Sequence, residues 1–350
     1  MARHHGQSIT DGDSARGKKV ADPYISGPTL DDVMRYAIME VEGFGEHIVP
    51  SNGPCKELVG VMLEITNPRA RLSRTETRGL PFSCLAELCW YLAKSDKVEF
   101  MNHYVKYQKY ADGDVVYGAY GPRLFDWKGL NQFAGIINRL RNNPVSRKAV
   151  IQLFDACDIT TKHNHVPCTC TLQFLVRGGK LHMVTYMRSN DLIMGFPHDV
   201  FAFTMMQEII ASALSVELGV YKHAVGGLHI YDSDVEKAKQ FFDEGWQPTE
   251  IIMPSMPLGD PMPAIQTLVD AEAAIRNNTS LDGIGLETLD PYWMDLIRLL
   301  QIFTCSKHQV NDVDSIIRLR SEMSSPTYHP FIDKRLSACQ KRIEEQRLGS

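Results

Sequence analysis

Apolar positions along the chain alternate between two periods. Residues 82–92 (FSCLAELCWYL) repeat at helical spacing, and Glu87 is the one charge in that apolar face. Residues 171–187 (TLQFLVRGGKLHMVTYM) hold two runs of strand character around Gly178-Gly179, which predicts a hairpin. Residues 200–218 are apolar nearly all round, which predicts a central buried helix with Gly219 as its C-cap. Near the start, Thr29 followed by Asp31 and Asp32 reads as an N-cap opening a helix. Residues 1–25 are polar and are expected to form a disordered tail. Residues 247–263, rich in Pro and Met, read as a connector to helices over 264–276, 291–303, 313–323 and 333–347. The expected class is α+β: a mainly antiparallel or mixed sheet with helices on one side, followed by a helical C-terminal extension over 247–350. The catalytic domain is expected over 26–246.

Composition narrows the functional classes. Of 350 residues, 44% are hydrophobic and 23% charged, the balance of a soluble globular protein with a sizeable core. Lys and Arg number 37 against 42 Asp and Glu, a net charge of -5, so nothing draws the chain to nucleic acid or an anionic membrane. The 8 cysteines are scattered and no secretory signal is seen, which places the protein in a reducing, cytoplasmic setting. Thr204, Gln207, Glu208 and Ser212 interrupt the longest apolar run, which is too polar to span a bilayer.

Four short strings carry candidate chemistry. In Pro167-Cys168, a thiol stands just before the first hairpin strand. A lone cysteine is usually a small core residue, and it becomes a nucleophile only where positive charge lowers its pKa. Arg188-Ser189, at the end of the second hairpin strand, offers a guanidinium fork and a hydroxyl suited to phosphate; the alternative is a solvated strand end. Asp199 follows Gly195, Pro197 and His198 at the start of the long helix, where an acid often serves only as a cap. His229 and Tyr231 share one strand face and could bond one hydroxyl.

In this order and spacing the strings resemble the thymidylate synthase family. Pro167-Cys168, Gln173-Phe174, Gly179-Lys180, Tyr186, Arg188-Ser189, Asp191, Gly195, Pro197, His229 and Tyr231 match its core pattern. The resemblance covers roughly residues 30–245 and is most specific over 145–231. It implies that Cys168 is the nucleophile and that Glu87 organises water and protons. Arg188, Ser189 and Arg147 would hold the phosphate, with Lys148 where the family usually has a second arginine. His229 and Tyr231 would hold the sugar hydroxyl. Asp191, Tyr107 and Tyr117, the last in a VYG loop, would serve the cofactor, 5,10-methylenetetrahydrofolate. It also implies a homodimer with shared active sites, in which the basic residues reach the partner's nucleotide.

One departure bears on the substrate. Where the family places asparagine, this chain has Asp199. An amide meets the N3–H donor and O4 acceptor of uracil. Cytosine reverses that polarity, with N3 accepting and the 4-amino group donating. An ionised carboxylate cannot donate to O4, whereas a protonated carboxyl can serve neutral cytosine. A mismatched buried pair costs about 1–3 kcal/mol per unsatisfied group. The expected substrate is therefore a cytosine nucleotide monophosphate, and the same replacement resembles the cytidylate and deoxycytidylate hydroxymethylase branch.

The branch implies addition of the Cys168 thiolate to C6, transfer of one carbon to C5, and water rather than hydride as the final acceptor. Tyr107, where the family has a shielding tryptophan, and the polar ending over 344–350 point the same way. Ribose versus deoxyribose stays open. The rival readings are a thymidylate synthase acting on dUMP, an enzyme that methylates cytosine, and a catalytically retired nucleotide or RNA-binding regulator. The group Cys157, His163, His165, Cys168 and Cys170 fits no standard zinc spacing, so no metal is expected.

Overall fold

The computed structural model describes residues 21–160 and 162–348. Most of the expected tail lies outside these residues. Its last two positions are not tail: Tyr24 and Ile25 open a short strand, Tyr24–Gly27, because Ile25 inserts into the core. Among the described residues, seven strands form one mixed sheet: β1 (Tyr24–Gly27), β2 (Glu46–Ile48), β3 (Cys55–Ile65), β4 (Val150–Gln152), β5 (Thr169–Arg177), β6 (Lys180–Asp191) and β7 (Glu217–Tyr231). Their order is β1-β3-β7-β6-β5-β4, with β2 pairing to β3.

Eleven α-helices among the described residues accompany it: α1 (Leu30–Phe44), α2 (Pro81–Leu92), α3 (Val98–Asn102), α4 (Tyr120–Phe125), α5 (Gln132–Asn142), α6 (Phe196–Leu214), α7 (Val235–Asp243), α8 (Met262–Arg276), α9 (Pro291–Cys305), α10 (Val313–Ser321) and α11 (His329–Leu348). The class is α+β. The Thr29 cap forms as expected, its hydroxyl accepting from the Asp32 amide at 3.1 Å. The β5–β6 hairpin turns at Gly178 and Gly179, both with positive φ.

The central pair is β6 with β7. They run parallel, with Ser189 opposite Gly227 and Asp191 opposite His229. Parallel strands need a crossover, and α6 provides it. This corrects the helix expected over 200–218. It begins earlier, at Phe196, and ends at Leu214, where Ser215 takes the left-handed C-cap conformation at φ 54°. Gly219 is a strand residue, not a cap. A Cβ there would lie 2.6 Å from His182 Nδ1, so its backbone needs the bare approach.

The sheet buries one face against α1 and α6, with Leu63, Met183, Tyr221 and Val225 fully or nearly inaccessible. The other face is open and carries Val184, Tyr186 and Val220. Helix α2 is wedged between α6 and the C-terminal helices. The Phe82 ring lies 6.5 Å from Phe303 of α9, and the Arg335 guanidinium of α11 sits 4.3 Å over the Phe82 ring. Tyr104 also donates to Glu272 of α8 at 2.8 Å. The two Phe82 contacts fix α2, and with it Glu87. Among the described residues no helix is long and apolar enough to cross a membrane.

Candidate active site

Cys168 stands one residue before β5, half-buried, with its carbonyl accepting from the Arg188 amide of β6 at 2.9 Å. The Arg188 guanidinium returns across the strand pair. Its Nε donates to the Pro167 carbonyl at 3.0 Å, and Nη2 lies 3.6 Å from Cys168 Sγ. Burial pushes the thiol pKa up and the Arg188 charge pulls it down, burial prevailing. A fixed cation beside a sulfur is what stabilises a thiolate once it forms.

Glu87 faces this cleft from α2. Its Oε1 accepts from Tyr91 at 2.5 Å and its Oε2 lies 2.8 Å from His198 Nδ1. Burial alone would raise the carboxyl; the His198 hydrogen bond and charge, with the Tyr91 phenol, outweigh it and hold Glu87 below the usual range. Burial alone would lower His198; Cys84 and Glu87 raise it well above an ordinary imidazole. The pair is therefore carboxylate and imidazolium, and the second ring nitrogen reaches Ser83 Oγ at 3.2 Å.

Asp199 is the next residue on α6, in its first turn. A helix N-terminus favours an anion there. Burial and the Glu87 charge prevail, and the carboxyl is pushed up to about 8 even though Asn190 donates to its Oδ2 at 2.8 Å. Near neutral pH Asp199 is thus a neutral acid with one donor and one acceptor.

The β6–β7 seam supplies the remaining groups. Ser189 and Asp191 on β6 lie level with Gly227 and His229 on β7. Asp191 Oδ1 accepts from the amides of Ile193 and Met194 at 2.9 and 3.0 Å, and burial raises its pKa. His229 Nδ1 lies 3.3 Å from the Gly227 carbonyl, and its ring meets Tyr231 edge-on with centroids 4.8 Å apart.

The family model described as thymidylate synthase matches residues 56–268, more than half of the chain. This chain belongs to the thymidylate synthase family. It is also similar to the deoxyuridylate hydroxymethyltransferase of Bacillus phage SP01, at 33% identity over 221 residues, which cover 58% of this chain and 56% of that protein. The chain thus spans little more than half the length of that curated relative.

In this cleft the structure brings Cys168 within electrostatic reach of Arg188 and Asp199, and Asp199 within reach of Glu87. Tyr107 joins them, close enough to feel Glu87 and Cys168, with its ring edge-on to Trp90 at 5.5 Å. Tyr117 is placed differently. Its ring stacks on His163 at 3.7 Å and its hydroxyl meets Cys157 Sγ at 3.7 Å. Arg147 and Lys148 are exposed on the loop before β4. His163 is held by Asp112 at 2.7 Å, and among the described residues no group of three His, Cys, Asp or Glu could hold a metal ion.

Sequence reasoning missed five residues, one of them His198, the partner of Glu87. Asn190 sits unnoticed between the matched Ser189 and Asp191, and bonds Asp199. Tyr221 and His223 lie behind it in the core face of β7; polar residues at i and i+2 in a buried strand were the available signal. Arg78 is buried near Asp191 and Asp234, and its Nε and Nη2 have no hydrogen-bond partner among the described residues.

Proposed function

We propose that the protein transfers a hydroxymethyl group to C5 of a cytidine or deoxycytidine monophosphate. The observation that carries this reading is Asp199, a buried neutral acid held beside Glu87 and Cys168. Against cytosine, its hydroxyl donates to N3 and its other oxygen accepts from the 4-amino group. As the Cys168 sulfur adds to C6, electron density moves to N3 and Asp199 gives its proton there. A carboxyl titrating near the working pH is suited to that transfer. C5 becomes nucleophilic without a free anion forming in the ring.

The residues present fit a flat donor with an anionic tail. Tyr107 on Trp90 offers an aromatic wall, Asp191 a fixed carboxyl, and Arg78 a buried guanidinium whose Nε and Nη2 have no partner among the described residues. When bound, 5,10-methylenetetrahydrofolate supplies one carbon at the oxidation level of formaldehyde. The Glu87–His198 pair holds the water that completes the hydroxymethyl group, with Glu87 as its base. The balance is nucleotide, methylene-folate and water to hydroxymethyl nucleotide and tetrahydrofolate.

Arg188 and Ser189 bind the phosphate, and His229 with Tyr231 the sugar. Arg147 and Lys148, exposed in their own subunit, serve a second copy docked on the open sheet face. The apolar residues Val184 and Val220 on that face support such a homodimer.

The relative named for deoxyuridylate favours a second reading, with uracil as the base. A neutral Asp199 would then donate to O4 and accept from N3–H. Incubation with dCMP, CMP and dUMP, methylene-folate and mass analysis separates the two. The expected result is a gain of about 30 Da, one CH₂O, on a cytosine nucleotide. Turnover of dUMP alone overturns the choice of base, and a gain of one CH₂ overturns water as the acceptor.

A further inference from the structure

Behind Asp199 runs a line of buried polar side chains along the core face of the sheet, beneath α6. Tyr221 Oη lies 2.6 Å from His223 Nδ1, His223 Nε2 lies 3.0 Å from Asn190 Oδ1, and Asn190 Nδ2 lies 2.8 Å from Asp199 Oδ2. Tyr221 and His223 are wholly inaccessible and Asn190 nearly so. Buried polar groups in a strand that otherwise packs Val225 and Leu228 cost stability unless each is satisfied. Here each member satisfies the next.

The direction of every bond follows from one placement. The Asn190 amide donates to Asp199, so its carbonyl must accept. His223 Nε2 must then carry the hydrogen. Burial pushes the His223 pKa down to about 3, so the ring is neutral and Nδ1 is an acceptor. The Tyr221 phenol must donate to it, and burial keeps that phenol protonated. Turning the Asn190 amide over would reverse all three bonds and put a proton on Asp199 Oδ2.

We propose that Tyr221, His223 and Asn190 form a positioning relay that fixes which oxygen of Asp199 accepts and which donates, and so sets the choice of pyrimidine. The relay rests on the reading of Asp199 as the partner of the base edge. With Oδ2 committed to the Asn190 amide, the titrating proton resides on Oδ1. The donor and acceptor then stand in a fixed order along the edge of the base. An unrelayed carboxyl would present either order, and cytosine and uracil would be read equally well.

Other charged groups face Asp199 and set the background against which the relay acts. They are Glu87 from α2, His198 from α6, Asp191 from β6 and the Cys168 thiol, with the Tyr91 and Tyr120 phenols beside them. Among these and the relay members, Asn190 alone holds a hydrogen bond to the carboxyl. Gly195 leaves room for it: a Cβ there would lie 3.2 Å from Asn190 Nδ2 and 3.6 Å from Asp199 Oδ2.

The test combines wild-type spectroscopy with two kinetic variants. In ¹⁵N NMR of the full chain near neutral pH, His223 is expected as the neutral tautomer with hydrogen on Nε2. The Nδ1–H tautomer or an imidazolium overturns the relay, and this reading needs no activity. His223→Leu is expected to reduce the ratio of kcat/KM for dCMP over dUMP by about tenfold. It should also move the alkaline limb of the pH profile upward, because Asp199 loses its ordered donor. Tyr221→Phe should act in the same direction, and His223→Gln, which keeps a donor at the Nε2 position, should recover most of the ratio. An unchanged ratio and profile in folded His223→Leu removes the relay alone. A wild type that turns over neither nucleotide, yet shows the Nε2–H tautomer, removes the functional reading and leaves the relay's geometry intact.

Discussion

His198 on α6 and Glu87 on α2 meet at 2.8 Å and hold each other charged, so one ion pair both joins the two helices and sets the electrostatics of the cleft. The expected consequence is a stability window. Glu87, depressed below its ordinary 4.5, contributes above that value and loses its contribution as pH falls through the folded pKa. His198, raised above its ordinary 6.5, contributes fully below that value and loses its contribution as pH rises through the folded pKa. His198→Phe should therefore cost most between pH 4.5 and 6.5. Denaturation at several pH values should show a loss of roughly 3 kcal/mol there. A difference that does not vary with pH would mean the pair is not ionic.

Asp199→Asn should trade specificity for stability. A carboxyl raised from 3.8 to about 8 imposes a penalty that grows as pH rises between those values. The amide carries none. The variant should melt above wild type near neutral pH, by roughly 2 kcal/mol, and match it near pH 4. In turnover, the preference for dUMP over dCMP should rise by at least about 100-fold. Wild-type base preference in the variant would remove Asp199 from base recognition.

Arg188→Gln should weaken the thiolate. With the cation 3.6 Å from the sulfur gone, burial acts alone and the pKa of Cys168 rises further. Alkylation by iodoacetamide, followed against pH, should show its midpoint displaced to higher pH than in wild type. Cys168→Ala, the companion control, should abolish turnover by roughly 10⁴-fold or more while the nucleotide still binds.

Ser215→Gly should stabilise the chain. Ser215 ends α6 at φ 54° and ψ 44°, where a Cβ costs about 1 kcal/mol that glycine does not incur. A rise in Tm with unchanged turnover would confirm that the cap is purely structural. A fall would show that the serine hydroxyl has a role at the helix end.

Much of the site was legible because its groups lie on short segments of strong local character. Cys168, Arg188 and Ser189 sit around one hairpin whose Gly178-Gly179 turn announces itself, and His229 with Tyr231 share one strand face. The end of α6 was not legible. Only Ser215 and Val216 separate it from β7, so the switch to strand alternation at Leu214-Ser-Val-Glu-Leu218 is short, and Gly219 offered a false stop. The partner of Glu87 was hidden for a different reason. His198 and Glu87 are 111 positions apart, and only the packing of α2 on α6 brings them together. Asn190, Tyr221 and His223 were missed because a buried polar line reads, in one dimension, as scattered exceptions in hydrophobic strands.

The parallel pairing of β6 with β7 has a consequence for how the molecule is made. Asp191 and His229 become neighbours only after the stretch between them has looped back and coiled into α6. Closing so long an excursion before any reward from pairing is slow. A nascent chain therefore holds no assembled pocket until its middle has locked, and a nucleotide that fits the finished pocket would act as a late ratchet on refolding.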